Sequence, residues 1–372
     1  MKSATKTIKQ SSQKLELLES LRGIAALLIV AFHGTELFRL KFNQPFLLSL
    51  FEFGDSGVDF FFVLSGFLLA LTSFKYIGHQ NSAKEFLIKR CERIYPFYWF
   101  VSLCIIPVYF LVPSFGKGYE TDITVIIKSL LLIPQEHAPI ISAAWFLSHL
   151  VFFYFVFALV IFIPKVASKL VLAGLSISAF VALGDIFSGF QLWDKTHFLI
   201  NFTFSYYNLE FLAGCLLGTI FKTNQLKKSV SLSMLVVGCL AFCLSGLLEV
   251  YVLQISAETT GFSHYYEFMT YGLSSILIIG GAAFLEKSYR ISINRWFVML
   301  GAAAFSIYLT HYPILSIFTK AMQVAGLNRT SYYTVGMVLA CVMTVLIGAL
   351  AHVYVEKRVA AMFRNRLTYK KA

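Results

Sequence analysis

The sequence predicts an all-α polytopic membrane protein with about ten transmembrane helices in one bundle. Of its 372 residues, 58% are hydrophobic and only 13% are charged, which is about half the charged fraction of a water-soluble domain. The apolar residues form long runs, whereas the strands of a membrane barrel alternate apolar and polar positions. Ten helices of about 20 residues each use a little over half of the chain and leave no room for a soluble catalytic domain.

The predicted spans are apolar runs that are each long enough to cross a bilayer. They lie at approximately residues 21–38, 57–74, 94–112, 144–163, 168–187, 199–221, 230–253, 268–285, 296–319 and 332–355. A shorter run at 123–133 predicts a re-entrant or interfacial helix in an outer loop. The first run contains Arg22 and His33 and is followed by no small-residue cleavage site, so it is predicted to be a span and not a signal peptide.

The net charge of +12 is explained by membrane topology and requires no nucleic-acid partner. With ten spans, both termini and 24 of the 31 Lys and Arg residues fall on one side of the membrane. Because positive charge collects on the cytoplasmic side, both termini are predicted to be cytoplasmic. We expect a polar basic N-terminus at 1–18, one membrane domain at 19–357 and a basic tail at 358–372.

The six cysteines predict no metal site and no permanently bound cofactor. They lie inside or beside apolar runs and include no CxxC pair. Such cysteines are typical of small buried apolar residues and not of a disulfide or metal framework.

Two ionisable side chains in the first span are candidate functional residues, because such groups are costly inside a bilayer. Arg22 and His33 are eleven residues apart, which places them on one helix face about 16 Å apart along the axis. They could bracket an elongated ligand, with its anionic end at Arg22 and its reactive end at His33. The alternative is an end arginine that reaches the membrane surface and a histidine bonded to a neighbouring helix, and the spacing favours neither interpretation.

Other ionisable residues inside predicted spans are candidates for substrate contacts. Asp59 could instead complement the N-terminus of its helix, and Glu210 could form a structural pair. His311 is predicted at the same outer-half depth as His33, so the two histidines could share a polar cavity. Tyr308 lies one helical turn before His311.

Arg90 and Arg93 lie three residues apart at the predicted cytoplasmic edge of the third span. A pair of guanidinium groups suits phosphate recognition. By charge alone, however, ordinary anchoring at the cytoplasmic face is the more frequent role.

Five motifs in this order resemble the type-3 integral-membrane acyltransferase family. They are Leu21-Arg22-Gly23 with His33, the run GVDFFFVLSGF from Gly57 to Phe67, Arg90-x-x-Arg93-Ile94-x-Pro96-x-Tyr98, Phe211-Leu212-x-Gly214, and Ser306-x-Tyr308-Leu309-x-His311-x-Pro313. The resemblance covers about residues 15–357. It implies transfer of acyl groups, most often acetyl, from cytoplasmic coenzyme A thioesters to hydroxyls of envelope or exported polysaccharides, at a bacterial cytoplasmic membrane.

One position departs from the family pattern. Many members carry an acid five residues after a tryptophan, whereas here Trp145 is followed at that distance by Leu150, with His149 beside it. The acid's role is therefore absent or moved, which leaves the acceptor subgroup open.

The function predicted from the resemblance is that of a membrane-bound O-acyltransferase with acyl-CoA as co-substrate and a glycan as acceptor. His33 is predicted to be the catalytic base. The other predicted roles are Arg22 in catalysis, Arg22, Arg90 and Arg93 in coenzyme A phosphate binding, and Asp59, Glu210, Tyr308 and His311 in acceptor binding. The acyl group, the acceptor sugar, a covalent acyl-histidine intermediate and the oligomeric state stay open.

A protein of another class is the main alternative. A transporter or flippase for an envelope lipid or glycan would use the same ionisable residues as a proton relay. Against it, the sequence shows neither inverted repeats nor paired broken helices. A membrane receptor or scaffold, the third interpretation, does not require charged residues on one face of the first span.

Overall fold

A computed structural model describes residues 15–44, 46–188, 198–253, 266–326 and 330–368, and these residues form a helical bundle with no strand. The helices are α1 (Glu16–Phe42), α2 (Gly57–Ser73), α3 (Ser82–Leu111), α4 (Ile123–Leu130), α5 (Trp145–Phe162), α6 (Pro164–Ser188), α7 (Phe198–Thr203), α8 (Tyr207–Thr223), α9 (Lys228–Leu248), α10 (Leu273–Ser288), α11 (Arg295–Val324), α12 (Thr330–Ala351) and α13 (Lys357–Thr368). Single π-helical turns follow α9, precede α10 and join α12 to α13.

The all-α polytopic class predicted from composition is confirmed. In the part of the chain that the structure describes, eight helical segments are long and apolar enough to cross a membrane. The two remaining predicted spans, at 168–187 and 199–221, correspond to α6 and to α7 with α8. Helix α8 has 17 residues and is about 25 Å long, slightly shorter than a typical hydrocarbon core.

Helices α1 and α11 approach each other closely enough for their backbones to touch. A Cβ atom at Gly301 would lie only 1.8 Å from the carbonyl oxygen of Glu19, and one at Gly23 only 2.8 Å from the Gly301 nitrogen. Small residues allow such contacts between membrane helices. Gly23 faces Gly301, and ten residues further along each helix His33 faces His311, so the two helices run in the same direction.

Two other helix pairs use glycines in the same way and fix further directions. In the α2–α8 pair, Cβ atoms at Gly66 and Gly214 would lie 1.9 and 2.0 Å from carbonyl oxygens of the partner helix, and the pair is parallel. In the α9–α10 pair, Gly238 faces Ile278 and Gly281 faces Leu235, so this pair is antiparallel. These directions agree with the alternation that ten spans predict. The side of the membrane that holds the termini stays a prediction.

The short predicted helix is α4, and it folds back along α3. The Tyr95 hydroxyl donates to the Leu131 carbonyl at 2.9 Å, and Trp99 Nε1 donates to the Leu130 carbonyl at 2.8 Å. Tyr95 lies about 24 Å before the end of α3 at Leu111. Helix α4 therefore ends far down the length of α3, and whether it is re-entrant or interfacial in the bilayer stays a prediction.

Candidate active site

The α1–α11 contact places two histidines side by side inside the bundle. The ring centroids of His33 and His311 are 5.0 Å apart, with an angle of 31° between the ring planes. The ring of Tyr312 stands at 87° to that of His33, with the centroids 5.3 Å apart. His311 has no exposed surface, whereas the His33 side chain is 23% exposed. The register of α1 and α11 therefore places His33 and His311 at the same level along the two helices, which is the relation that the sequence predicted.

The hydrogen-bond partners define which nitrogen of each neutral imidazole carries the proton. His33 Nδ1 lies 2.9 Å from Glu36 Oε2, and a carboxylate only accepts, so Nδ1 donates. His311 Nδ1 contacts the Tyr308 carbonyl and must donate as well. In each neutral ring, Nε2 then keeps its lone pair. His311 Nε2 is buried, and none of the residues that the structure describes forms a hydrogen bond with it. A buried acceptor left unpaired is costly, and it marks a position where a ligand donor would be favourable.

Glu36 is the site residue that sequence reasoning missed. It lies three residues after His33, a spacing at which two helical side chains are neighbours. This spacing was the feature of the sequence that could have identified Glu36 as a partner of His33. Glu36 belongs to the last two turns of α1, beyond most of the apolar run, where an acid looks like an ordinary loop-facing charge.

Two of the three candidate arginines lie close together. The Arg22 guanidinium is 3.3 Å from Glu19, and its other charged neighbours are Arg93 and Glu356. Glu356 Oε2 accepts hydrogen bonds from the Ser306 hydroxyl and from His352 Nδ1, the latter at 2.7 Å. A carboxylate from the π-helical turn after α12 is therefore a charged neighbour of the α1 arginine, and its hydrogen bond from Ser306 links it to α11.

Arg90 has other partners. Its Nη2 atom donates to Thr72 Oγ1 and Ser73 Oγ, both at 2.6 Å, and its guanidinium lies 5.3 and 5.4 Å from the ring centroids of Phe86 and Tyr154. These contacts join α3 to the end of α2 and to α5. Arg93, and not Arg90, is therefore a charged neighbour of Arg22, and Arg93 is also a charged neighbour of Arg90.

The two predicted acidic residues come together elsewhere, between α2 and α8. Asp59 is 3% exposed and Glu210 has no exposed surface, and the two carboxyl groups are close enough to interact. A Cβ atom at Gly272 would lie 2.9 Å from Glu210 Oε1, so the start of α10 closes over the pair. Acceptor binding by these carboxyls stays a prediction, and their burial gives it no support.

The remaining predicted residues have defined places. The Tyr308 hydroxyl donates to the Ala143 carbonyl at 2.6 Å and so ties α11 to the segment before α5. Leu150, at the family's acid position, is 7% exposed. His149 lies in an aromatic cluster with its ring centroid 3.9 Å from that of Phe202 and 5.6 Å from that of Tyr207. It therefore packs as a buried ring and does not replace the acid in a polar site.

No side-chain cluster with metal-binding composition is present in the described ranges. Fold and site together define a polytopic membrane protein with a histidine pair in its bundle and a cluster of arginines toward one end of α1. A family model described as an acyltransferase domain matches residues 16–352. The chain therefore belongs to this acyltransferase family.

Known proteins with similar sequences come from several bacteria. The chain is 27% identical over 326 residues to the exopolysaccharide production protein ExoZ of Rhizobium meliloti (strain 1021), covering 85% of this chain and 92% of that protein. It is 23% identical over 361 residues to the peptidoglycan O-acetyltransferase OatA of Listeria monocytogenes, covering 87% of this chain and 53% of OatA. No solved structure matches the chain.

Proposed function

We propose that this protein is a membrane-bound O-acyltransferase that moves an acetyl group from acetyl-CoA, at the cytoplasmic face of a bacterial inner membrane, to a hydroxyl of an envelope or exported polysaccharide. Membership in the acyltransferase family supports the reaction class. The names of the similar proteins, for exopolysaccharide production and for peptidoglycan O-acetylation, support the acceptor class. The observation that carries the proposal is the pair of imidazoles with free Nε2 atoms on α1 and α11.

Transfer from a thioester to a hydroxyl requires a base for the hydroxyl proton. His33 Nε2 takes the proton while the hydroxyl oxygen attacks the thioester carbonyl carbon. The carbon–sulfur bond then breaks, and the leaving thiolate takes the proton back from the imidazolium. The products are an ester and a free thiol, with no net proton released.

The side chains around His33 supply the other requirements. Arg22 and Arg93 bind the coenzyme A phosphates, for which guanidinium groups are well suited. Because Arg22 lies about 16 Å from His33 along the axis of α1, the carrier arm runs along that helix. His311 contributes a second nitrogen acceptor beside the acceptor hydroxyl, next to Tyr308. Arg90, which is hydrogen-bonded to Thr72 and Ser73, adds positive charge near Arg93 for the same phosphates, and Asp59 and Glu210 take part only if the acceptor reaches the α2–α8 interface.

The test uses purified protein in lipid nanodiscs, acetyl-CoA labelled in the acetyl group, and deacetylated glycan. We expect label in the glycan, and we expect His33→Ala to lower turnover by about 10²–10⁴-fold, the usual contribution of a general base. The matched control is His79→Ala, because His79 is exposed in the loop between α2 and α3. Near wild-type turnover of His33→Ala would remove His33 from the mechanism.

Substituting an arginine is expected to change a different kinetic constant from the one that substituting the base changes. Arg93→Ala should raise the KM for acetyl-CoA with a smaller change in kcat, whereas Arg358→Ala, at an exposed position of α13, should change neither. If the protein, reconstituted in sealed liposomes, moves a glycan or lipid across the bilayer without labelling it, the transporter alternative replaces the enzyme.

A further inference from the structure

We infer that Glu36 is a positioning residue for His33 and that it determines which of the two histidines acts as the base. The inference rests on the proposed acyl transfer. Its structural basis is the 2.9 Å contact between His33 Nδ1 and Glu36 Oε2 on consecutive turns of α1. Both side chains retain some access to the outside of the bundle, with His33 23% and Glu36 35% exposed.

A neutral imidazole carries a single ring proton, and its position decides whether Nε2 can act as a base. Glu36 accepts from Nδ1–H, so it favours the tautomer in which the Nε2 lone pair is free. When Nε2 takes the hydroxyl proton, the ring becomes an imidazolium beside the carboxylate, and the existing hydrogen bond becomes charge-assisted and stronger. Glu36 stays ionised throughout and gives up or takes no proton.

The other histidine, His311, has a neutral hydrogen-bond partner in place of a carboxylate. His311 Nδ1 donates to the neutral carbonyl of Tyr308, which orients the ring but provides no full negative charge for an imidazolium. His311 is also completely buried, and burial without a counter-charge disfavours a charged group. The structure therefore assigns proton transfer to His33, and His311 is left to accept a hydrogen bond.

The charged and titratable groups around this dyad come from three elements. Arg39 on α1 and Lys117 in the segment after α3 are the other charged neighbours of Glu36, and His311 and Tyr312 on α11 face the His33 ring. Arg39 is also 3.3 Å from Glu52. Glu52 is therefore a matched control, because it is a nearby acid whose ion-pair partner is an arginine and not a histidine.

The first test is kinetic. We expect Glu36→Gln to lower kcat by up to about 10⁴-fold, the effect known for replacing the carboxylate that partners a catalytic histidine, with the KM for acetyl-CoA changed less than about twofold. Glu36→Asp should restore part of the kcat, because it keeps the charge on a shorter side chain. Glu52→Gln should leave both constants unchanged. A Glu36→Gln variant as active as Glu52→Gln would overturn the inference.

The second test does not depend on turnover. In protein labelled with ¹⁵N-histidine, the signals lost in His33→Ala identify His33, and in the wild type they should show a protonated Nδ1 and a free Nε2. In Glu36→Gln the same signals should shift toward a mixture of tautomers. A protonated Nε2 in the wild type would refute the inference. If the wild type shows the expected tautomer but no acetyl transfer, the proposed function fails while the dyad geometry stands.

Discussion

Replacing Gly301 by alanine should separate the two histidines without changing either of them. A Cβ atom at this position would lie 1.8 Å from the Glu19 carbonyl oxygen, whereas the normal carbon–oxygen contact is about 3.3 Å. The obstacle is backbone, which cannot rotate away, so α11 must move from α1 by about 1.5 Å. Overpacking of this kind typically costs about 1–3 kcal/mol of stability.

The consequence for catalysis follows from the shared register of the two helices. His311 lies ten residues beyond Gly301, so a shift of α11 moves His311 relative to His33. A misplacement of about 1 Å can lower the rate by about 10²-fold, and we expect Gly301→Ala to lose at least that factor in kcat.

The assay is acetyl transfer to glycan by purified protein that remains monodisperse by gel filtration. The matched control is Gly174→Ala in α6, because a Cβ atom there would contact nothing within 4 Å. We expect that variant to keep wild-type turnover and stability. If Gly301→Ala also keeps wild-type turnover and stability, the α1–α11 contact does not set the geometry of the two histidines.

Two further predictions concern helix ends. Glu286 on α10 accepts the backbone N–H groups of Leu17 and Leu18 at 2.7 and 3.2 Å, so Glu286→Ala should cost about 1 kcal/mol, the usual effect of losing an N-terminal cap, and an unchanged Tm would contradict this. Asp122 caps α4, and hydrogen bonds from the Thr124 and Val125 amides hold the pKa of Asp122 below its ordinary value. The cap is therefore intact at neutral pH and is lost as the pH falls through that lowered value. Hydrogen exchange at these amides should accelerate there in the wild type relative to Asp122→Asn, and equal acceleration in both proteins would contradict it.

Hydropathy and charge were sufficient to predict the class of the protein and most of its spans. Their limits lie at helix ends: α3 begins at Ser82, twelve residues before the predicted span, and α12 continues through a π-helical turn into α13, beyond the predicted end of the last span at 355. Polar residues can continue a helix into water although the local hydropathy falls there, so hydropathy marks the membrane crossing and not the ends of the helix.

The histidine pair was partly predictable, and its surroundings were not. Depth along two parallel spans placed His33 and His311 at one level, because depth depends only on the rise per residue. The electrostatic proximity of Arg22 to Arg93 and Glu356, and the hydrogen bonds from Arg90 to Thr72 and Ser73, depend on which helix faces meet. Three arginines that shared one predicted role, coenzyme A phosphate binding, thereby have different partners in the structure.

The free energies of transfer into the bilayer and the charges of the loops add up residue by residue along the chain. For that reason the sequence alone predicts the membrane class, the positions of the spans and the candidate residues. The assembly of those residues into a site is not additive. It depends on backbone contacts such as Gly23 with Gly301, between positions 278 apart in the chain, where the absence of a side chain sets the distance and register of two helices. Only the packed bundle could therefore decide that the His33 ring contacts that of His311, and that Arg93 is a charged neighbour of Arg22.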